Sequence, residues 1–479
     1  MNEVISRVNA FVWGVPALLC ILAVGVYLSV RSGFVQLRLF PKALKAFLGH
    51  FKGTEDTSGE SSFRALCTAL AATVGTGNIA GVAGAIAIGG PGSIFWMWIC
   101  AVLGMVTKLA EATLAVRFRK RDGNGNFIGG PMYMIEYGMG RRWRWLGTCY
   151  CIFGVVAAFG MGNATQINAV VDSVNSALPY VGKSESLTIN LAVGIFFSVL
   201  AAVCLLGGIQ KIGDVASILV PVASAAYIIM GLGALIFHME RIPAAVCDIV
   251  CGAFSPQAVT GGVVGSAFAA LRVGASRGTF TNEAGMGTAA IAHGASAVEH
   301  PVEQGLMGIT EVFLDTILIC TVTALVILTS GTGIQYGLDE GAVLTTRAFS
   351  CTYGDWVSIP MALFLCCFAF ATMLGWGMYG LRCAQYLFGD KAWELFVLLQ
   401  ALVCIISVLL KTGTVWMLAE IVNGLMAIPN LICLAVLTPT FLAALESYEK
   451  KKNACWRSSS LSRKQRESGR RWFHRWTRK

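Results

Sequence analysis

Thr73-Val-Gly-Thr-Gly-Asn78-Ile-Ala-Gly-Val82 is the stretch on which the reading of this chain turns. It lies in an apolar segment, about 65–88, long enough to cross a bilayer, yet it carries glycine at 75, 77 and 81 and polar side chains at Thr73, Thr76 and Asn78. Glycine is a poor helix former, and each backbone group left unsatisfied in hydrocarbon costs several kcal/mol. A membrane helix holds such a cluster only where neighbouring protein, water or a ligand satisfies the freed N–H and C=O groups. The stretch therefore reads as a helix broken near the midplane. Close helix packing is the competing explanation, because Gly77-x-x-x-Gly81 has the spacing of a packed pair. Packing does not ask for the flanking Thr and Asn. Exposed amides at a half-helix N-terminus suit a carboxylate, and unwound carbonyls beside Thr and Asn oxygens suit a hard monovalent cation.

The surrounding chain supports a membrane setting. Of 479 residues, 56% are hydrophobic and 13% charged, against about 25% charged in soluble domains; the mean hydropathy is +0.68. Eleven apolar segments are long enough to span: about 11–30, 65–88, 93–116, 145–173, 187–206, 213–237, 258–295, 304–328, 356–380, 392–410 and 414–442. The seventh is irregular and reads as one span or two pieces. The expectation is a single all-α integral domain over 1–448 with a basic tail at 449–479. The 16 cysteines lie mostly within apolar runs, without Cys-x-x-Cys pairs or histidines at zinc spacing, and read as small packing residues. No basic region precedes the first apolar run, so that run reads as a retained span.

Loop charge sets the expected orientation. If every segment crosses, 28 Lys/Arg fall on one side and 5 on the other, with Lys108, Arg272 and Arg277 within or near spans. The positive side is cytoplasmic, which puts the N-terminus outside and the C-terminus inside. The tail from Lys450 interleaves twelve Lys/Arg with Trp456, Trp472, Phe473 and Trp476. It reads as a segment lying on anionic headgroups rather than as a nucleic-acid binder.

A second cluster interrupts the seventh segment: Arg277-Gly-Thr-Phe-Thr-Asn-Glu-Ala-Gly-Met-Gly-Thr288. The two clusters stand about 200 residues apart, each near the start of five segments. That spacing is what an inverted repeat requires, with 65–237 and 258–442 as the halves and 11–30 as an extra helix. A polar loop is the alternative for the second cluster, since Arg277 and Glu283 are costly in lipid. Gly274-Ala-Ser-Arg-Gly278 matches the nucleophile-elbow pattern, but no strand precedes it, so an enzyme is not expected. No nucleotide-binding motif supports ATP-driven transport. Lys108 and Glu111 stand three apart and are expected to pair. Gln166 could bridge helices. Thr372 and Trp376, one turn apart, put a hydroxyl and an aromatic wall on one face.

At these residues the chain resembles the alanine/glycine:cation symporter family. The carrying stretches are 73–119, GGPMYMIEYGMG (129–140), RGTFTNEAGMGTAAIAHGAS (277–296) and FAFATMLGWGMYG (368–380). The resemblance implies a leucine-transporter-like core of five-plus-five inverted repeats in the bacterial cytoplasmic membrane. It implies sodium-coupled, less often proton-coupled, uptake of alanine or glycine, with no cofactor beyond the coupling ion. By the family pattern, backbone at Thr76 and Gly77 takes the substrate carboxylate, Gln166 and Thr372 meet its polar groups, and Trp376 closes the side-chain pocket. Sodium is implied near Thr73, Gly75 and Thr372, and Asn78 matches an ion-binding asparagine of the neurotransmitter sodium symporters. Ala371 stands where the family commonly has serine, Met378 and Leu381 replace a tyrosine and an acid, and TNEAGMGTAA lacks the usual final proline. The expected activity is alternating-access symport; a channel, or another sodium-coupled small-solute transporter, is the alternative. A channel wants a continuous polar stripe, and these spans offer isolated clusters.

Overall fold

The computed structural model describes the backbone of residues 12, 15–50, 57–123, 125–182, 184–409 and 412–476, and it is almost wholly helical. In chain order, α1 (Val15–Arg31) and α2 (Val35–His50) meet at 85°. Next come α3 (Thr57–Thr73), α4 (Ala80–Gly89) and α5 (Gly92–Arg117). A small hairpin pairs β1 (Lys120–Arg121) with β2 (Phe127–Ile128). Then follow α6 (Arg144–Phe159), α7 (Thr165–Ala177), α8 (Leu187–Leu206), α9 (Gly208–Phe237) and α10 (Ile242–Phe254). The second half holds α11 (Ala267–Asn282), α12 (Thr288–His293), α13 (Pro301–Val312), α14 (Thr321–Thr329) and α15 (Ala342–Tyr353). It ends with α16 (Ser358–Phe388), α17 (Ala392–Ser407) and α18 (Thr412–Trp476). Wide π turns join α6 to α7 at Gly160–Ala164 and α13 to α14 at Phe313–Cys320.

Among the described residues, seven helical runs are long and apolar enough to cross a membrane, or eight if the bent pair α1–α2 counts as one span. They correspond to the segments expected at 93–116, 145–173, 187–206, 213–237, 304–328, 356–380 and 414–442. Three other expected segments differ in form. The one at 65–88 is α3 and α4 around a break, and the one at 258–295 is chiefly α11 and α12 around another. The segment at 392–410 is the shorter α17. Helices also form between the expected spans, among them α2, α10 and α15. In α2, Val35, Gln36, Leu39 and Ala43 form one buried stripe, and that alternation, not overall hydrophobicity, makes it a helix. The side chains of the basic tail beyond Lys451, and the lipid contact read for them, lie outside the described residues.

Burial separates the centre from the lipid face. In α5, 83% of the most apolar window is buried, against 28% in α8 and in α9. Ile218, Val222, Ile229 and Ile236 form an exposed stripe along α9, as a helix facing hydrocarbon requires. The two broken helices pack against α5 and α16, so both breaks are interior.

Candidate functional site

The first break begins where α3 stops at Thr73. Gly75 is extended (φ −141°, ψ −156°), and a single 3₁₀ turn at Thr76–Asn78 leads into α4. Asn78 holds the break together: its Oδ1 accepts the Gly75 N–H at 2.8 Å, and its Nδ2 donates to Asp315 Oδ1 at 2.6 Å and to the Asp315 carbonyl at 3.1 Å. The oxygen keeps a second lone pair. Among the described residues, the Thr76 and Gly77 N–H groups have no acceptor. Thr73 turns its hydroxyl back to the Ala69 carbonyl at 3.3 Å.

Thr372, on α16, points at this break. Its hydroxyl is buried with no hydrogen-bond partner among the described residues. A Cβ on Gly75 would lie 2.7 Å from that oxygen, so the close approach exists because position 75 has no side chain. Gln166 lies on the other side, its Oε1 accepting from the Thr76 hydroxyl at 3.4 Å and its Nε2 donating to the Met161 carbonyl at 3.1 Å. The π turn at Gly160–Ala164 presents that carbonyl. Thr76, Gly77, Gly81 and Phe280 line a cavity of about 630 Å³. A Cβ on Gly81 would meet no atom within 4 Å, so the Gly77/Gly81 spacing is not a helix–helix contact. Arg277 stands at this cavity, 3.2 Å from Asp339 Oδ2 and 3.8 Å from Glu420 Oε1. The loop bearing Asp339 is strapped to α4 by the Gly337 N–H to Ala87 carbonyl bond at 2.9 Å.

Trp376 lies elsewhere. It is fully buried and does not line that cavity; its indole N–H donates to Glu283 Oε1 at 2.8 Å. Its Cβ sits against Gly162, where an added Cβ would lie 2.2 Å away. The structure thus joins Thr73, Gly75, Thr76, Gly77, Asn78, Gln166 and Thr372 around one break and sets Trp376 between the π turn and the other break.

At that second break α11 ends at Asn282, and Glu283, Gly285 and Gly287 all take left-handed φ (+54°, +94° and +79°) before α12. The Thr288 hydroxyl donates to Glu283 Oε2 at 2.6 Å. Glu111 Oε1, from α5, accepts from the Gly285 N–H at 3.0 Å, the Gly287 N–H at 3.1 Å and Asn430 Nδ2 at 2.7 Å. The pairing expected between Lys108 and Glu111 is replaced: Lys108 Nζ binds Glu311 Oε1 at 2.8 Å. A partner on α13 reaches the ammonium directly, which leaves Glu111 to the break. His293 Nε2 lies 3.0 Å from Glu311 Oε2, and His293 Nδ1 lies 2.7 Å from Gln304 Nε2. Gln304 in turn accepts from the Ser62 hydroxyl at 2.7 Å, tying α3 to α12 and α13. Asp315 and Glu311 were visible only as acids in a span; nothing local to them names Asn78 or Lys108 as partner. The nucleophile-elbow lookalike is continuous helix, and a Cβ on Gly274 would lie 2.2 Å from the Ser93 carbonyl.

A second, larger cavity of about 1010 Å³ opens at the opposite end, lined by Arg64, Thr68, Ala292, Met378 and Arg382. Arg64 pairs with Asp214 at 3.0 Å, and Arg382 lies 3.8 Å from Asp122 in the β hairpin. Among the described residues no three His, Cys, Asp or Glu side chains are arranged to hold a metal ion.

Apolar spans around two interrupted helices, with a cavity reaching one break, are the build of an integral membrane transporter. The chain belongs to the Sodium:alanine symporter family, whose model matches residues 1–461. It is 40% identical over 455 residues to the sodium/alanine symporter AgcS of Methanococcus maripaludis, covering 94% of this chain and 97% of that one. It is 33% identical over 456 residues to the probable sodium/glutamine symporter GlnT of Bacillus subtilis, covering 95% and 92%. The crystal structure of MhsT in complex with L-phenylalanine shares the fold, with a TM-score of 0.58 at 14% identity, covering 78% of this chain and 88% of that one. The protein is therefore a multi-pass membrane transporter.

Proposed function

We propose that the protein couples sodium entry to uptake of a small neutral amino acid, alanine or glycine, by alternating access across the cytoplasmic membrane, N-terminus outside and C-terminus inside. The carrying observation is the pairing of the unpartnered Thr372 hydroxyl with side-chain-free Gly75, beside the unpaired amides of Thr76 and Gly77 at the cavity. In this reading the two amides take the substrate carboxylate, and Gln166 and Thr372 meet its remaining polar groups. Sodium binds oxygens near Thr73, Gly75, Asn78 and Thr372. Ala371 withholds a further hydroxyl, so backbone carbonyls carry more of the ion's coordination. Trp376, outside the described cavity and held by Glu283, is taken to bound the side-chain space from behind the π turn at Gly160–Ala164. Family membership and the AgcS likeness support sodium and alanine.

Coupling is linkage: each ligand favours the state that binds the other, so each raises the other's affinity by the same factor. The two breaks also support the five-plus-five repeat over 65–237 and 258–442. The Arg277 ion pairs would then close the outer cavity, and Arg64–Asp214 and Arg382–Asp122 the inner one. The test is uptake into proteoliposomes of labelled alanine, glycine, serine and D-alanine under inward sodium, lithium, potassium or proton gradients. Sodium-driven accumulation of alanine or glycine with trans-stimulation is expected. Equilibration without trans-stimulation would overturn symport in favour of a channel.

A further inference from the structure

Glu111 is an acid inside α5, less than two turns from that helix's end at Arg117, buried and paired with no basic side chain among the described residues. We infer that Glu111 is a positioning residue: an internal carboxylate that fills the amide cradle of the second break and thereby makes it a fixed elbow closed to ligands. Three observations converge. Glu283, Gly285 and Gly287, all left-handed, form the kind of concave turn whose N–H groups gather around an anion. One oxygen, Glu111 Oε1, receives two of those amides together with Asn430 Nδ2. Asn430 Nδ2 also donates to the Gly285 carbonyl at 2.9 Å, so donor and acceptor of the same residue are held from α5 and α18 at once.

The consequence reaches the first break. The elbow fixes the end of α11, and α11 sets Thr281 against Gly77, where an added Cβ would lie 3.4 Å from the Thr281 hydroxyl. Glu111 thus positions a wall of the cavity without touching what the cavity holds. It also keeps carboxylate recognition to one place, because the second set of break amides is already occupied.

The first test needs no knowledge of the transported solute; the alanine arm of the second rests on the proposed function. Purified wild type, Glu111→Ala and Glu111→Gln are heated in choline chloride and in choline formate of equal ionic strength. Glu111→Ala leaves a polar space of carboxylate size, and formate is expected to raise its Tm by several degrees while leaving wild type and Glu111→Gln unmoved. Equal shifts in all three, or none in a monodisperse Glu111→Ala, would overturn the inference. Amide hydrogen exchange on the wild type gives a second reading that does not depend on a variant folding. Exchange at 285 and 287 is expected to be slow and insensitive to millimolar alanine, and fast exchange or alanine-dependent protection there would equally overturn it.

Discussion

The two helix breaks are made from similar residues and are finished in opposite ways. At the first, Gly75 lies open beside an unpartnered hydroxyl, and the next two amides have no acceptor among the described residues. At the second, the amides of Gly285 and Gly287 are held by Glu111, and Glu283 is held by Trp376 and Thr288; what stays without a partner among the described residues there is side-chain atoms, Glu111 Oε2, Asn430 Oδ1 and Asn282 Nδ2, not those amides. Glycine, threonine and asparagine permit an interruption; what completes the hydrogen bonds decides its use. A break whose amides are completed by protein is architecture. A break left incomplete beside a cavity is available to a ligand.

The sharpest way to break this contrast is to fill the open one. Gly77→Leu puts a branched side chain between Thr281 and the cavity floor. Uptake is expected to fall at least about 100-fold, or about 2.7 kcal/mol, with membrane insertion intact by surface labelling. Normal uptake would remove the first break from the site. Thr372→Val keeps the shape and deletes the hydroxyl facing Gly75. The sodium half-saturation is expected to rise about tenfold, equivalent to about 1.4 kcal/mol, with little change in expression; a sodium curve like the parent's would locate the ion elsewhere.

Trp376→Phe addresses the closed break, because it keeps a ring and removes the donor to buried Glu283. A loss of about 1–3 kcal/mol in stability is expected, read as a lower Tm, with a smaller change in apparent affinity. Trp376→Ala, which also empties the space against Gly162, is expected to admit larger side chains or weaken binding; an unchanged substrate panel would show that Trp376 is only a support. The least effect belongs to Gly81→Ala. An added methyl there meets nothing within 4 Å, so uptake should stay within about twofold, whereas a packing role would make the change damaging.

The open break was legible from sequence because glycine and hydroxyl residues in a hydrocarbon-length run have few explanations. Thr73 to Asn78 announce themselves within six positions. The closing of the second break was not, because Glu111 and Asn430 come to Gly285 from 174 and 145 residues away. The spacing of Lys108 and Glu111 pointed to a local pair, and a three-dimensional neighbour, Glu311, took its place. Trp376 was legible as a large side chain one turn from Thr372, but one turn of helix is enough to move it from the first break to the second. The helices α2, α10 and α15 were not legible because each is shorter than a hydrocarbon-length run.

The ion pairs of Arg277 have a practical consequence for measuring this protein. They are partly exposed, with Arg277 side-chain accessibility at 26% and Asp339 at 41%. At 3.2 and 3.8 Å the paired atoms lie well inside the screening length of about 8–10 Å at ordinary salt, so added salt weakens the pairs only in part. The proposed driving ion therefore arrives in a medium that also acts, weakly, on the pairs proposed to close the outer cavity. Adding sodium chloride to a dilute buffer changes site occupancy and the strength of those pairs together, so a curve obtained that way would mix the two. Replacing sodium by choline at fixed ionic strength holds the pairs constant, and the difference between the two curves measures their share.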